Sequence, residues 1–252
     1  CNSVRKRLEH ILAWLATHQP DVLALQETKA TDADFPAAPL QDAGWHVVFR
    51  GEKTFNGVAV ITRRPPDAVS FGLGDDDGES ETRFAHVTLG GVHILNTYVP
   101  QGSEMDSPKF QLKLEWFARF RRYVAARFDP AADRVVWVGD LNVAPTAADL
   151  YDPEGTWPHV CYSQPVIDAW QEVVDWGFVD VFRKHLPQPK VYTFWDYRLP
   201  AAVKRDLGWR IDHILATRPA ADASRECTVD LQPRLAESPS DHTFVAARFE
   251  ME

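Results

Sequence analysis

Two short apolar runs each end in a carboxylate, and this pattern limits the fold more than any other feature. Val22-Leu23-Ala24-Leu25 leads into Gln26-Glu27, and Val135-Val136-Trp137-Val138 leads into Gly139-Asp140. Runs this short, without polar alternation, read as strands buried on both faces. A carboxylate at the end of such a strand is costly unless it is paired or binds a cation. The chain is therefore expected to build a covered sheet with acidic side chains at its strand ends. Taken singly, Glu27 reads equally well as a solvated loop residue, and Asp140-Leu141-Asn142 as an Asx turn.

The remaining elements alternate irregularly. Leu8, Ile11, Leu12 and Leu15 recur at helical spacing, with Asn2 or Ser3 as cap and Pro20 beyond the end. A helix precedes Gly44. Strands are predicted over 45–49 and 57–62. Phe84–Leu89 and Val92–Val99 flank Gly90-Gly91, a two-residue hairpin signal. Ser107-Pro108 opens a long helix with Phe110, Leu114, Phe117, Val124 and Phe128 on its apolar face. A further helix ends before Gly177, and later strands are expected around Thr193-Phe194, over 209–216 and over 243–249. With no repeat and no Gly/Ser-rich linker, one domain of mixed sheet covered by helices fits best.

Composition narrows the setting. The 252 residues contain no apolar run near the ~18 needed to cross a membrane. The opening Cys1–Arg7 segment has no apolar stretch suited to a secretory signal. Three widely spaced cysteines give neither a disulfide framework nor a zinc ribbon, which points to a reducing, cytoplasmic compartment. The net charge of −9 weighs against nucleic acid, although a few Lys and Arg on one face can still follow a phosphate backbone. The acidic stretch Asp75–Glu79 lacks the spacing of a calcium loop and reads as solvated surface.

Other polar positions repeat the strand-end theme. Asp140 and Asn142 share a side if the chain stays extended. In Ser240-Asp241-His242 a hard carboxylate stands beside an imidazole, which suits Mg²⁺ and proton handling or, equally, a capped turn. In Trp209-Arg210-Ile211-Asp212-His213, alternation sends Arg210 and Asp212 to one face and Ile211 and His213 to the other. Asp212 could orient a distant His. Tyr98, in Tyr98-Val99-Pro100-Gln101-Gly102, could donate to a phosphoryl oxygen or simply pack. Tyr192-Thr193-Phe194-Trp195-Asp196-Tyr197 is either core or a flat pocket for an unstacked sugar or base.

The order of these segments, more than any one of them, carries a resemblance. Leu25-Gln26-Glu27-Thr28-Lys29, Tyr98–Gly102, Gly139-Asp140-Leu141-Asn142, Thr193–Arg198, Gly208–Asp212 and Ser240-Asp241-His242 together resemble the exonuclease III family of abasic-site endonucleases over nearly the whole chain. Phe55–Ala59 and Ser107–Phe110 add to it. The resemblance implies an α/β four-layer αββα sandwich, two mixed sheets face to face with helices outside. It implies cleavage of duplex DNA 5′ to abasic sites with Mg²⁺ or Mn²⁺, some 3′-5′ exonuclease or clearing of blocked 3′ ends, and a monomer without membrane attachment. By matching positions, Glu27 binds the metal with Asp241 nearby, and Asp140 and Asn142 sit at the same centre. Asp140 orients or deprotonates the attacking water, and Asn142 helps place water and phosphate. Asp212 polarises His242, and Tyr98 donates toward the phosphate. Phe194, Trp195, Trp209 and Ile211 form the pocket for the base-free sugar, while Asn2, Lys29 and Gln101 support the site or the substrate.

Two departures stand out. Family members open with a strand running into a Trp-Asn-x-Asn-Ser-like stretch. Here only Cys1-Asn2-Ser3 represents it, so a strand and its leading Asn are expected ahead of this sequence. Ser103-Glu104 replaces a basic position, which leaves exonuclease processivity open. Two other readings compete: a relative acting on phospholipids, inositol phosphates or RNA tails, and a catalytically silent DNA-binding module.

Overall fold

In a computed structural model that describes residues 1–74 and 81–251, the buried runs do become central strands. The Asp75–Glu79 stretch lies outside the described residues. Elements follow in the order α1 Val4–His18, β1 Val22–Gln26, α2 Ala37–Asp42, β2 His46–Arg50, β3 Val58–Thr62, β4 Ala68–Phe71, β5 Phe84–Leu89, β6 Val92–Tyr98, α3 Pro108–Arg127, β7 Arg134–Asp140, α4 Gln164–Val174, β8 Phe178–Asp180, β9 Asp212–Thr217, β10 Ser224–Asp230 and β11 Phe244–Phe249, with short helical turns between.

One layer is a six-stranded mixed sheet, β4-β5-β6-β7-β9-β8, in which β6 and β7 run parallel. The facing layer is in two pieces, β1-β3-β2 and the ribbon β10-β11. Strands β1 and β3 pack on β5, β6 and β7, and β11 packs on β9. Between the layers lie Val58, Val60, Ala85 and Val87. Helix α1 covers the outside of one layer through Ile11, Trp14 and Leu15 against Leu23, Leu25 and Ile61. Helices α3 and α4 cover the other through Phe117, Phe120 and Trp170 against Phe84, Leu95 and Trp137. This is the expected helix–sheet–sheet–helix sandwich. A cleft of about 700 Å³ runs between β1 and β11, lined by both strands and by Val138, Gly139 and Ile214.

Local chemistry explains where elements start. The Ser107 hydroxyl accepts from the Phe110 N–H and Pro108 fills the first turn of α3, as expected. Gly90 and Gly91 both take positive φ in the β5–β6 turn. Helix α1 departs from expectation, since neither Asn2 nor Ser3 caps it with a side chain. The Ser3 and Val4 amides instead donate to the Glu27 and Thr28 carbonyls at 2.8 and 3.0 Å, tying Asn2 beside the end of β1. The layers are also joined by a buried amide. Asn96 donates to the Leu25 and Ala59 carbonyls at 3.1 and 3.0 Å and accepts from Gln26 at 2.7 Å, so its burial is fully compensated.

Phe120 sits at the centre of the α3 face, fully buried, stacked on Trp116 and tilted against Trp137. Phe120→Ala is expected to cost about 3–5 kcal/mol through the cavity it leaves. Urea unfolding at neutral pH should show a lower midpoint with an unchanged slope.

Candidate active site

Strand register builds the site. Tyr98 of β6 is the partner of Asp140 in the parallel β6–β7 pair, and Asp140 is the partner of Asp212 in the antiparallel β7–β9 pair. A phenol and two carboxylates therefore stand in a row across one end of the six-stranded sheet. Gly139 makes the row possible. Its φ is 141°, and a Cβ there would meet the Thr97 carbonyl oxygen at 1.9 Å.

Asp140 is 4% exposed. Burial, with the charges of Asp212 and Glu27, pushes its pKa up to about 7, against the pull of His242 and of the Asn142 N–H bonded to it at 3.0 Å. His242 lies in the loop ahead of β11, with Nδ1 2.9 and 3.0 Å from the two Asp212 oxygens and Nε2 3.8 Å from Asp140 Oδ2. Burial works against its charge, but Asp212, then Asp140 and Asp241, raise its pKa to about 10. At neutral pH it is an imidazolium whose Nδ1–H is fixed by Asp212 and whose Nε2–H faces the site. Thr193 completes the support, its hydroxyl donating to Asp212 Oδ2 at 2.6 Å.

A second group lies at the end of β1. The Tyr98 hydroxyl donates to Glu27 Oε1. Burial would raise the Glu27 carboxyl, but that bond and neighbouring positive charges hold it below its ordinary value. The Tyr98 phenol is driven far above its own by burial and by the Glu27 and Asp140 carboxylates. Lys29 Nζ lies 3.0 Å from Glu27 Oε2 and 2.7 Å from Asn2 Oδ1, and Asn2 Nδ2 donates to Asp241 at 3.1 and 3.3 Å. Tyr98, Glu27, Lys29, Asn2 and Asp241 thus form one continuous polar chain, and Asp241 adjoins His242.

Beside His242 is an aromatic hollow. The Phe194 ring lies 4.9 Å from His242 and 6.3 Å from Trp209, with Ile211 buried behind them. Trp195 does not join it. Alternation turns Trp195 into a separate cluster with Tyr192 and Ala202, and its backbone N–H donates to the Asp241 carbonyl at 2.8 Å. His159 and Tyr162, which no sequence pattern marked, pack on this wall, His159 edge-on to Trp209 at 4.8 Å. Gln101 stays exposed, its side chain accepting from the Ser103 N–H at 3.3 Å.

Two expectations of alternation fail because neither Asn142 nor Arg210 lies within a strand. Strand β7 stops at Asp140, and Asn142 adopts φ 50°, so its amide does not follow Asp140 but donates to the Val99 carbonyl at 3.0 Å. Strand β9 begins only at Asp212, so Arg210 precedes it and does not share the Asp212 face. Its guanidinium meets His213 Nδ1 at 3.2 Å.

Comparison with known proteins places the chain in one family. The endonuclease/exonuclease/phosphatase family profile matches residues 1–242. The chain belongs to this family. It is similar to an AP endonuclease from Archaeoglobus fulgidus, at 43% identity and TM-score 0.95, the match covering 99% of this chain and 96% of that one. It is similar to the 3′ phosphatase NExo from Neisseria, solved bound to a product DNA hairpin, at 40% identity and TM-score 0.93, over 99% and 96% of the two chains. Exodeoxyribonuclease III of Haemophilus influenzae is 31% identical over 260 residues, 98% of this chain and 97% of its own length.

In this family member a buried ion network stands behind the site. Arg210 is 1% exposed and bonds Asp149 at 2.6 Å and Asp180 at 2.9 Å, with Arg183 also on Asp149. Burial opposes the Asp149 charge, but Arg210 and then Arg183 bring its pKa down to about 2. Arg210→Met strips Asp180 of its cation and leaves Asp149 to Arg183 alone, and is expected to cost about 3–5 kcal/mol, read by urea unfolding at pH 7. A carboxyl depressed in the folded state stabilises above its ordinary value near 3.8, so the Asp149 contribution is lost as pH falls through about 2.

Proposed function

We propose that this chain hydrolyses DNA phosphodiesters, cutting duplex DNA on the 5′ side of abasic sites and clearing blocked 3′ ends. The observation that carries the reading is the buried Asp140 carboxyl, 3.8 Å from Nε2 of a His242 ring fixed by Asp212. A base matched to neutral pH and a cation aimed into the same space are what in-line attack of water on a phosphodiester needs. The adjoining aromatic hollow suits a sugar without its base. The relatives named above, an AP endonuclease, a 3′ phosphatase and an exodeoxyribonuclease III, support the same substrate class. The partner is double-stranded DNA. Among the described residues, no helix is long and apolar enough to cross a membrane.

A divalent cation fits the oxygen donors. Glu27 Oε2 and Asn2 Oδ1 already converge on one positive charge, the Lys29 ammonium, with the Asp241 carboxylate bonded to the same Asn2. Among the described residues no three acidic, His or Cys side chains surround a single point. Mg²⁺ takes one or two carboxylates and fills its shell with water and phosphate oxygens, and Mn²⁺ accepts the same donors. Glu27 and Asp241 would hold it, and bound there it would neutralise charge on the phosphate.

The residues divide the work. Asp140 takes a proton from the attacking water, and the new P–O bond forms as the bond to the 3′ oxygen breaks. His242 donates from Nε2 to a phosphoryl oxygen and offsets its developing charge, while Asp212 and Thr193 keep the ring oriented. The 3′ oxygen leaves as a hydroxyl after gaining a proton from solvent. Asn142 fixes the turn that aims Asp140 and adds no further negative charge.

The test is a duplex with one abasic analogue, with and without EDTA. Incision should need the cation, and Asp140→Asn should lower kcat by about 10²–10⁴-fold while the dissociation constant for the duplex stays within a few-fold. A folded protein that leaves the duplex and a 3′-phosphorylated end intact in Mg²⁺ rejects the reading, and preferential turnover of an inositol phosphate replaces it.

A further inference from the structure

Lys113 of α3 lies beneath the site with no exposed surface. Its ammonium donates to the Asn142 carbonyl at 2.6 Å, the Val160 carbonyl at 2.6 Å and the Gln101 carbonyl at 3.1 Å. An ammonium has three N–H donors, and here each meets one backbone oxygen. A neutral amine, with two N–H bonds, would leave one of the three carbonyls unmatched. Among the described residues no carboxylate pairs with it, and Cys161 Sγ lies 4.0 Å away. A buried cation without a paired carboxylate is costly, and what offsets the cost here is that the ammonium satisfies three backbone carbonyls.

Its three acceptors belong to three separate loops that meet only at the site. Asn142 O belongs to the turn after β7, and the Asn142 N–H bonds Asp140 Oδ1 at 3.0 Å. Gln101 O closes the segment after β6, where the Val99 carbonyl accepts from the Asn142 amide at 3.0 Å. Val160 O lies between His159 and Tyr162, which pair with each other and pack on the wall of the aromatic hollow. One ammonium therefore ties the group that handles the water to the wall that receives the sugar.

We infer that Lys113 is a positioning residue, a buried cationic clamp that sets Asp140 and the aromatic hollow at a fixed distance through the backbones of Asn142 and Val160. It touches neither water nor phosphate. This rests on the hydrolytic reading above. It also explains why Asn142 holds the left-handed backbone conformation, since its N–H and its carbonyl are both committed, to Asp140 and to Lys113.

The test compares wild type with Lys113→Met, Lys113→Arg and Lys113→Gln on the abasic duplex, alongside amide hydrogen exchange of the free proteins. Lys113→Met is expected to lower kcat about 10²-fold, the scale of an ångström of misplacement, with KM within threefold. Exchange should quicken over 99–103, 140–144 and 158–162 while the β1–β3 core keeps its protection. Lys113→Arg, which restores a charged multiple donor, should recover kcat to within about tenfold of wild type. If Lys113→Met does not fold, Lys113→Gln gives the same comparison with a shorter neutral donor. A folded Met or Gln variant with wild-type kcat overturns the inference. So does faster exchange spread evenly over the whole chain, which marks general loosening. If wild type itself fails to cut, the hydrolytic reading falls, and the exchange pattern still decides whether Lys113 clamps the three loops.

Discussion

The pair between Asp212 and His242 joins the end of a central strand to the loop that leads into the opposite layer, and the site depends on it. Asp212 is delivered by β9, which is in register with β7, which is in register with β6. His242 is delivered by the approach to β11, on the other side of the cleft. Without that contact the six-stranded sheet would still align Tyr98, Asp140 and Asp212, but the row would hold phenol and carboxylates alone. Repulsion between those carboxylates, unrelieved, would push more than one of them to take up a proton. The imidazolium turns a cluster of like charges into an ordered alternation of acid and cation.

The same logic runs along the other branch. Glu27 and Asp241 are kept charged by Tyr98, Asn2, Lys29 and His242, whereas Asp140, deeper and with fewer donors, is driven toward neutrality. Environments that pull neighbouring carboxyls in opposite directions divide labour among chemically similar groups. The two carboxyls that stay ionised suit a hard cation, and the one poised near neutral pH suits proton transfer.

Much of this was legible in the sequence because the central strands are buried on both faces and so write themselves as apolar runs. Strands β1, β5, β6, β7 and the hairpin Gly90-Gly91 follow from that, as do the carboxylates at their ends. The strands left unmarked lie at the edges. Strand β10 reads Ser-Arg-Glu-Cys-Thr-Val-Asp and β4 is four largely exposed residues, because an edge strand needs burial on one side at most. The extended segment at Thr193-Phe194 pairs only through single bridges to Trp209 and His242. Alternation failed at Asn142 and Arg210, where the backbone leaves the strand one or two residues from the functional group. Lys113 and Thr193 were invisible for another reason. Their importance lies in which backbone or carboxylate they reach, and nothing in the residues around them encodes that distance.

The net charge of −9 seemed to oppose a polyanionic substrate, yet formal charge measures the site poorly. Four of the acids, Glu27, Asp140, Asp212 and Asp241, are gathered where a phosphate would sit, and the cations set among them are buried or bonded. His242 is paired with Asp212, Lys29 is shared between Glu27 and Asn2, and Lys113 is bonded to backbone carbonyls. A phosphate entering this space would meet the Nε2 side of an imidazole ring held by Asp212, not four bare carboxylates. Field at the reacting atom, set by buried neighbouring groups, outweighs the distant surface charge that salt screens over about 8–10 Å. An acidic chain can therefore act on DNA, provided its acids are spent on holding cations in place.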